Sequence, residues 1–317
     1  MRLVLAALSI ALVSVASAPA APLDCRLITF VVPFPAGSTT DAISRLLSDQ
    51  VAETLGRTVV VENKPGADGQ VAALDVMRAP ADGCRLMLAT SGALSIVPFL
   101  RKERPYDPVT DFTPIADVGR YQFFFYVPAS LGAGTMAAFI ELIHKNPGRY
   151  NYAVGNNTGL LSFNFARAKF DLKMERVNYR GEPPAIVDML ADRVHAIVAT
   201  GGHIPHVTDG KLKALAVVLD QRSELLPEVP TYAEVGLGDF KVVLWLGVVG
   251  PPKMPRDTVD PLSAAFITAM KRDDVRAAAN RLGFAMTPSG PDAFGKLIAD
   301  QTVVYGERIR EARLTPE

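Results

Sequence analysis

Apolar positions along the chain fall into short β-branched runs that alternate with longer stretches where they recur every three or four residues. Residues 26–33 read as a buried strand, and Ile43, Leu46, Leu47, Val51 and Leu55 keep helical spacing over 40–55. Gly56 stops that helix. TVVVE at 58–62 is a second strand, a Gly-rich turn spans 63–69, and 70–78 is helical. RLMLA at 85–89 is a third strand. Strands alternating with helices make βαβ units, and right-handed crossovers predict the strand order 2-1-3.

The middle of the chain repeats this grammar. Strands at 151–154, 175–178, 195–199 and 213–218 accompany helices at 160–170 and 183–190, with polar turns at 155–159, 179–182 and 200–203. This predicts a second α/β lobe, each lobe a mainly parallel sheet flanked by helices. The stretches 123–128 (FFFYVP) and 240–250 (FKVVLWLGVVG) are extended and apolar, and are placed at the lobe boundaries. The chain is expected to cross near residue 122 and return within 225–245. Lobe one is then 21–122 plus 228–317, and lobe two is 123–227. Residues 261–314 are expected to be mostly helical, with Leu262, Ala265, Phe266, Ala269 and Met270 on one face. Two crossings and facing turns describe a ligand cleft that closes by hinge motion.

The first twenty residues stand apart from this pattern. Arg2, the apolar run 3–13 and the small residues 16–20 make a secretory signal peptide, with cleavage after Ala20 preferred to Ala18. Its apolar run is short of the ~20 residues that span a bilayer, and the longest later run, 242–250, is shorter still. A free periplasmic protein, monomeric and without membrane insertion, is expected. The chain carries 33 Lys plus Arg against 33 Asp plus Glu, and losing residues 1–20 removes one Arg and no acid. No basic block stands out, which argues against nucleic acid or an anionic membrane as partner. Some 297 mature residues lie at the ~250–300 where a single core usually stops growing, again favouring two lobes.

Cys25 and Cys84 each open a strand. In an exported chain such a pair favours a disulfide over two buried thiols. Strands one and three should be neighbours, and their ~4.8 Å spacing suits a disulfide Cα separation of roughly 4.4–6.8 Å.

The candidate chemistry lies in 31–41, VVPFPAGSTTD. A strand feeding a Gly/Ser/Thr turn and a helix start aims backbone N–H groups and the positive dipole end at one point, an anion site. The N–H groups of Gly37 and Ser38 and the hydroxyls of Ser38 and Thr39 are the expected donors, with Phe34 and Ala36 alongside. Thr90 and Ser91 follow the third strand and flank the same switch point. Asn156, Asn157 and Thr158 should close from lobe two, together with Tyr179, Arg180, Gly181 and Gly201. Asp41 sits in a first helical turn, where it interacts with the dipole or binds a ligand amine. Arg180 is the one cation in these loops.

Catalytic, metal and cofactor chemistry find little support. The chain has four His and no Gly-x-Ser-x-Gly elbow. Residues 290–296 have P-loop spacing, but Leu297 replaces the Ser or Thr that would hold magnesium. His203 and His206 are separated by Pro205 and read as a solvated pair.

With these residues in hand, the chain resembles the extracytoplasmic solute receptors of tripartite tricarboxylate transporters, the Bug receptor family, over roughly 26–314. The resemblance is carried by ITFVVPFPAGSTTD, VVVENKPGADGQVAA, ADGCRLML, NYAVGNNTG, VNYRGEPPAIVDMLADRV, GKLKALAV and LPEVPTYAEVGL. It implies a two-lobed periplasmic binding fold, a small carboxylate or related solute, delivery to membrane permease subunits, and a site built from backbone amides of 36–38 and 155–159. Three departures fall at the ligand loops. Ser38 stands where the family usually has Gly, Asn178 where it has Pro, and 156–161 (NNTGLL) where it has a longer Gly/Ser-rich loop. A ligand-loaded sensor is a second reading. A periplasmic hydrolase or lyase is a third, and it lacks an activated nucleophile.

Overall fold

The computed structural model describes residues 25–238 and 240–316; the segment read as a signal peptide lies outside them. The first apolar runs become β1 (Leu27–Val32), α1 (Thr39–Leu55), β2 (Thr58–Asn63), α2 (Gln70–Met77), β3 (Arg85–Thr90) and β4 (Thr113–Tyr121). The middle forms β5 (Phe123–Pro128), α3 (Met136–Lys145), β6 (Asn151–Val154), α4 (Asn157–Lys169), β7 (Glu175–Asn178), α5 (Glu182–Leu190), β8 (Ile197–Thr200), α6 (Ile204–Thr208) and β9 (Leu212–Val217). The chain ends with β10 (Trp245–Gly250), α7 (Arg256–Lys271), α8 (Asp273–Arg281), β11 (Phe284–Ser289) and α9 (Pro291–Glu311).

These strands make two sheets, each flanked by helices. One has the order β11-β4-β10-β3-β1-β2 and the other β7-β6-β8-β5-β9. β2-β1-β3 is the predicted parallel unit, in register from Leu27 opposite Thr58 and from Thr29 opposite Arg85. β7-β6-β8 is its parallel counterpart.

The sheets are mixed, where mainly parallel sheets were expected. β10 runs antiparallel to both β3 and β4, and β5 antiparallel to both β8 and β9. These are the two apolar stretches that the sequence placed at the lobe boundaries. Every residue of β5 and β10 is buried. A strand covered on both faces carries an unbroken apolar run, so such a run marks a sheet interior. Each strand brings the chain in from the other sheet and runs against the parallel unit it joins. Between β4 in one sheet and β5 in the other stands a single residue, Gln122. Its N–H donates to the Gly283 carbonyl at 3.1 Å, and its carbonyl accepts the Gly201 N–H at 2.8 Å.

The C-terminal region is helical apart from β11. Leu262, Ala265, Phe266, Ala269 and Met270 are all buried on α7, with the Phe266 ring 5.4 Å from that of Phe30 on β1. Pro291 opens α9 at the P-loop-like stretch. Cys25 and Cys84 form a disulfide with a Cα separation of 5.3 Å, at the opposite end of β1 and β3 from the loops that follow them.

Candidate functional site

The site begins at the turn after β1. The Ser38 hydroxyl oxygen accepts the Asp41 N–H at 3.2 Å and so caps α1. Gly37 takes φ +82°, which side chains other than glycine rarely adopt, and its N–H meets the Asp41 carboxylate at 2.9 Å. The Ser38 N–H returns to the Pro35 carbonyl at 3.2 Å. The two amides expected to hold a ligand are thus used within the turn. The available donors lie one step on: the N–H groups of Thr39 and Thr40, first in α1, have no acceptor among the described residues.

Asp41 sits behind this turn, buried. It also accepts Arg45 Nε at 3.1 Å and Asn63 Nδ2 at 2.9 Å. Burial pushes its carboxyl upward, but Arg45, Gly37 and Asn63 together hold it below the ordinary carboxylate range. It braces the turn and does not line the cavity.

The facing wall is built on β6 and α4. Asn156 caps α4: its Oδ1 accepts the Gly159 N–H at 2.8 Å, and its Nδ2 donates to Glu182 Oε1 at 2.7 Å. Asn157 and Thr158, read as loop in the sequence, are the first two helical residues. Gly159 lies in the same first turn of α4. It serves packing: a Cβ there would meet the Val198 carbonyl oxygen at 2.3 Å.

Glu182 opens α5 with its side chain largely but not fully buried. Its carboxylate accepts Thr200 Oγ1 at 2.6 Å and the Thr200 N–H at 3.1 Å, and lies 3.0 Å from His203 Nε2. Burial pushes the carboxyl up, yet His203 and Thr200 hold it below the usual glutamate value. Thr200 Oγ1 also lies 3.3 Å from Thr39 Oγ1 in the other lobe. The contacts Thr39–Thr200–Glu182–Asn156 therefore join the starts of α1 and α4.

Between the two walls is a cavity of about 330 Å3. Of the residues expected from sequence, Phe34, Ala36, Gly37, Ser38, Thr39, Thr90 and Ser91 line it from one side. Asn156, Thr158, Arg180 and Gly181 line it from the other. Four expected residues lie elsewhere. Asp41 is behind the turn. Asn157 and Tyr179 line a neighbouring groove, with the Tyr179 hydroxyl on Asp188 at 2.8 Å. Gly201 packs on Gly283, where a Cβ would stand 2.7 Å from the Gly283 Cα.

The sequence reading left out Glu182, Pro183, Pro184, Thr200, Gly202 and His203, which line the cavity from lobe two. Four of them lie within the polar turns at 179–182 and 200–203 and the two prolines follow the first, so taking those turns whole would have found them. Tyr121, Phe123 and Leu282 add to the wall from elements whose sequence carries no sign of the site. The Tyr121 hydroxyl bonds Thr40 Oγ1 at 2.6 Å, and burial raises its pKa, so it is a neutral partner. Among the described residues the only cluster with metal-ligand chemistry is Cys25, Asp82 and Cys84, whose sulfurs are joined to each other.

The geometry is that of an anion cradle at one helix start, in a cavity whose remaining walls are largely carbon. Comparison with known proteins agrees with it. A family model described as tripartite tricarboxylate transporter family receptor matches residues 43–314. A protein from the tcbD-tcbE intergenic region of Pseudomonas sp. (strain P51) is 32% identical over 321 residues, covering 99% of this chain and 95% of its own. The structure of the periplasmic binding protein BugD superposes with a TM-score of 0.86 at 28% identity, over 92% of this chain and 99% of its own. The R. palustris protein Rpa4515 with adipate gives a TM-score of 0.87 at 26% identity, over 93% and 99%.

Proposed function

The chain belongs to the tripartite tricarboxylate transporter receptor family, and from that premise we propose that it captures a small carboxylate in the cavity between its lobes and presents it to membrane permease subunits. The observation that carries this reading is the start of α1. Two unpartnered N–H groups, at Thr39 and Thr40, sit on residues lining the cavity beside the hydroxyls of Ser38 and Ser91. A carboxylate accepting them gains charge-assisted bonds and the helix dipole. The solved relative that carries adipate supports a carboxylate of this size.

The protein is a binder and not an enzyme in this reading. Among the described residues neither the Ser91 nor the Thr158 hydroxyl is hydrogen-bonded to a histidine or a carboxylate, so neither is paired with a base as an activated nucleophile would be. It acts in the periplasm after removal of 1–20, as a monomer. Residues 21–122 with 228–317 form one lobe and 123–227 the other. No helix of the described residues is long and apolar enough to cross a membrane.

Purified protein should be titrated calorimetrically with a panel of small carboxylates, after mass spectrometry of whatever small molecules denaturation releases. Saturable binding of at least one carboxylate is expected, abolished when its carboxylate is converted to the amide. Equal binding of acid and amide would reject the cradle.

A further inference from the structure

Glu182 is a largely buried carboxylate on the wall of a cavity read as a carboxylate site, and the cradle has no need of it. Its donors explain its presence. Asn156 Nδ2, the Thr200 N–H, the Thr200 hydroxyl and His203 Nε2 all converge on it within 2.6–3.2 Å. A carboxylate offers about four acceptor positions, and these contacts fill them. All four donors belong to lobe two, facing the Thr39–Thr40 cradle of lobe one. Lobe two thus has its own anion-binding group of donors, and the chain's own carboxylate occupies it.

The residues after Glu182 point the same way. A helix start is an anion site through its free N–H groups, but α5 begins Glu182-Pro183-Pro184, and proline has none. The start of α5 presents two carbon rings to the cavity. Phe34, Phe123 and Leu282 continue that apolar lining. Arg180 is the remaining cation of the cavity wall, and it is exposed, where water and salt screen its charge.

We infer that Glu182 fills, from within the chain, the place on lobe two where a second ligand carboxylate would be held, so that the receptor selects a monocarboxylate with an apolar body. This rests on the carboxylate reading of the cavity and names the class within it. A dicarboxylate entering the same site would bring its second charge against a carboxylate whose donors are already in use. It would lose its hydration there and gain nothing in return.

Hexanoate and adipate isolate the question, being six-carbon chains with one and two carboxylates. In calorimetric titrations at pH 7 the wild-type protein should bind hexanoate about tenfold or more tightly than adipate. Glu182→Ser frees Asn156, Thr200 and His203, and should move the ratio toward adipate by about tenfold, while Glu182→Gln, keeping the shape without the charge, should fall between. Circular dichroism and melting check that the variants fold. Should they not, octanoate against suberate on the wild-type protein gives a second length-matched pair with the same expected order. A wild-type preference for the dicarboxylate in either pair, or a ratio unmoved in folded Glu182→Ser, overturns the role of Glu182 and leaves the carboxylate reading standing. Binding of neither kind of acid would overturn both.

Discussion

Arg180 is the residue most readily taken for the ligand's charge partner, and its surroundings predict otherwise. It is exposed and makes no ion pair among the described residues. An exposed pair is worth roughly 0–1 kcal/mol, so Arg180→Ala should weaken carboxylate binding by no more than about fivefold. Asp41 has the ligand's own sign and does not touch the cavity, yet it holds Gly37, Arg45 and Asn63 in place. Asp41→Ala strands these groups and should cost about 1–3 kcal/mol of stability, with a larger loss of affinity than Arg180→Ala. Titration of both variants against one carboxylate checks the order; a greater loss in Arg180→Ala would show that the arginine, and not the braced turn, recognises charge. Glu182 gives a pH dependence. Its pKa is depressed on folding, so its stabilisation is complete above the ordinary glutamate value and is lost as pH falls through the folded value. The melting temperature of the wild type should exceed that of Glu182→Gln at pH 7, and the gap should close on acidification below about pH 4. A gap that widened toward acid would contradict the assignment of a charged Glu182.

Among the elements, β1 and β3 support a prediction independent of the ligand. The Cys25–Cys84 disulfide spans a sequence separation of 59, and closing such a loop stabilises by about 4 kcal/mol in the chain-entropy model. It ties the strand ends away from the cavity. Cys25→Ala with Cys84→Ala should therefore lower the melting temperature and leave the dissociation constant within about twofold; an equal loss of affinity would mean that the bond shapes the cradle. That pairing was legible in the sequence because parallel βαβ units fix strand order locally. β5 and β10 were not, because an apolar run shows burial without saying which neighbours bury it. The start of α4 was misread for a related reason: Gly159 looks like a turn residue until β8 is beside it. The cavity divides along the same line. Turn chemistry at 34–39 and 155–158 is local and readable. Tyr121, Phe123 and Leu282 reach the site only through sheet packing and helix ends, which no short pattern encodes.

At the scale of the molecule, three of the contacts between the two lobes predict how closure and binding are coupled. Thr39 and Thr200 touch across the cavity through their hydroxyls, and Thr158 lies so close to Gly92 that a Cβ there would stand 2.9 Å from its Oγ1. Both contacts bring the cavity walls together. The third is the backbone clasp of Gln122 between Gly201 and Gly283, where the chain passes from one sheet to the other. Scattering with and without a bound carboxylate should show a smaller radius of gyration in the bound state, since only the closed form lets both walls contact the ligand. The clasp allows closure to be perturbed without changing the cavity. A methyl at Gly201 would stand 2.7 Å from the Gly283 Cα, against backbone that cannot rotate aside. The least costly relief in two lobes joined at Gln122 is for them to rotate apart. Gly201→Ala should then enlarge the unliganded radius of gyration and reduce carboxylate affinity by about tenfold, because part of the binding energy is spent on restoring closure. The hexanoate-to-adipate ratio should not change, since every group that tells the two apart is intact. A variant with weakened affinity but unaltered scattering, or with an altered ratio, would place Gly201 in the binding surface and not at the pivot.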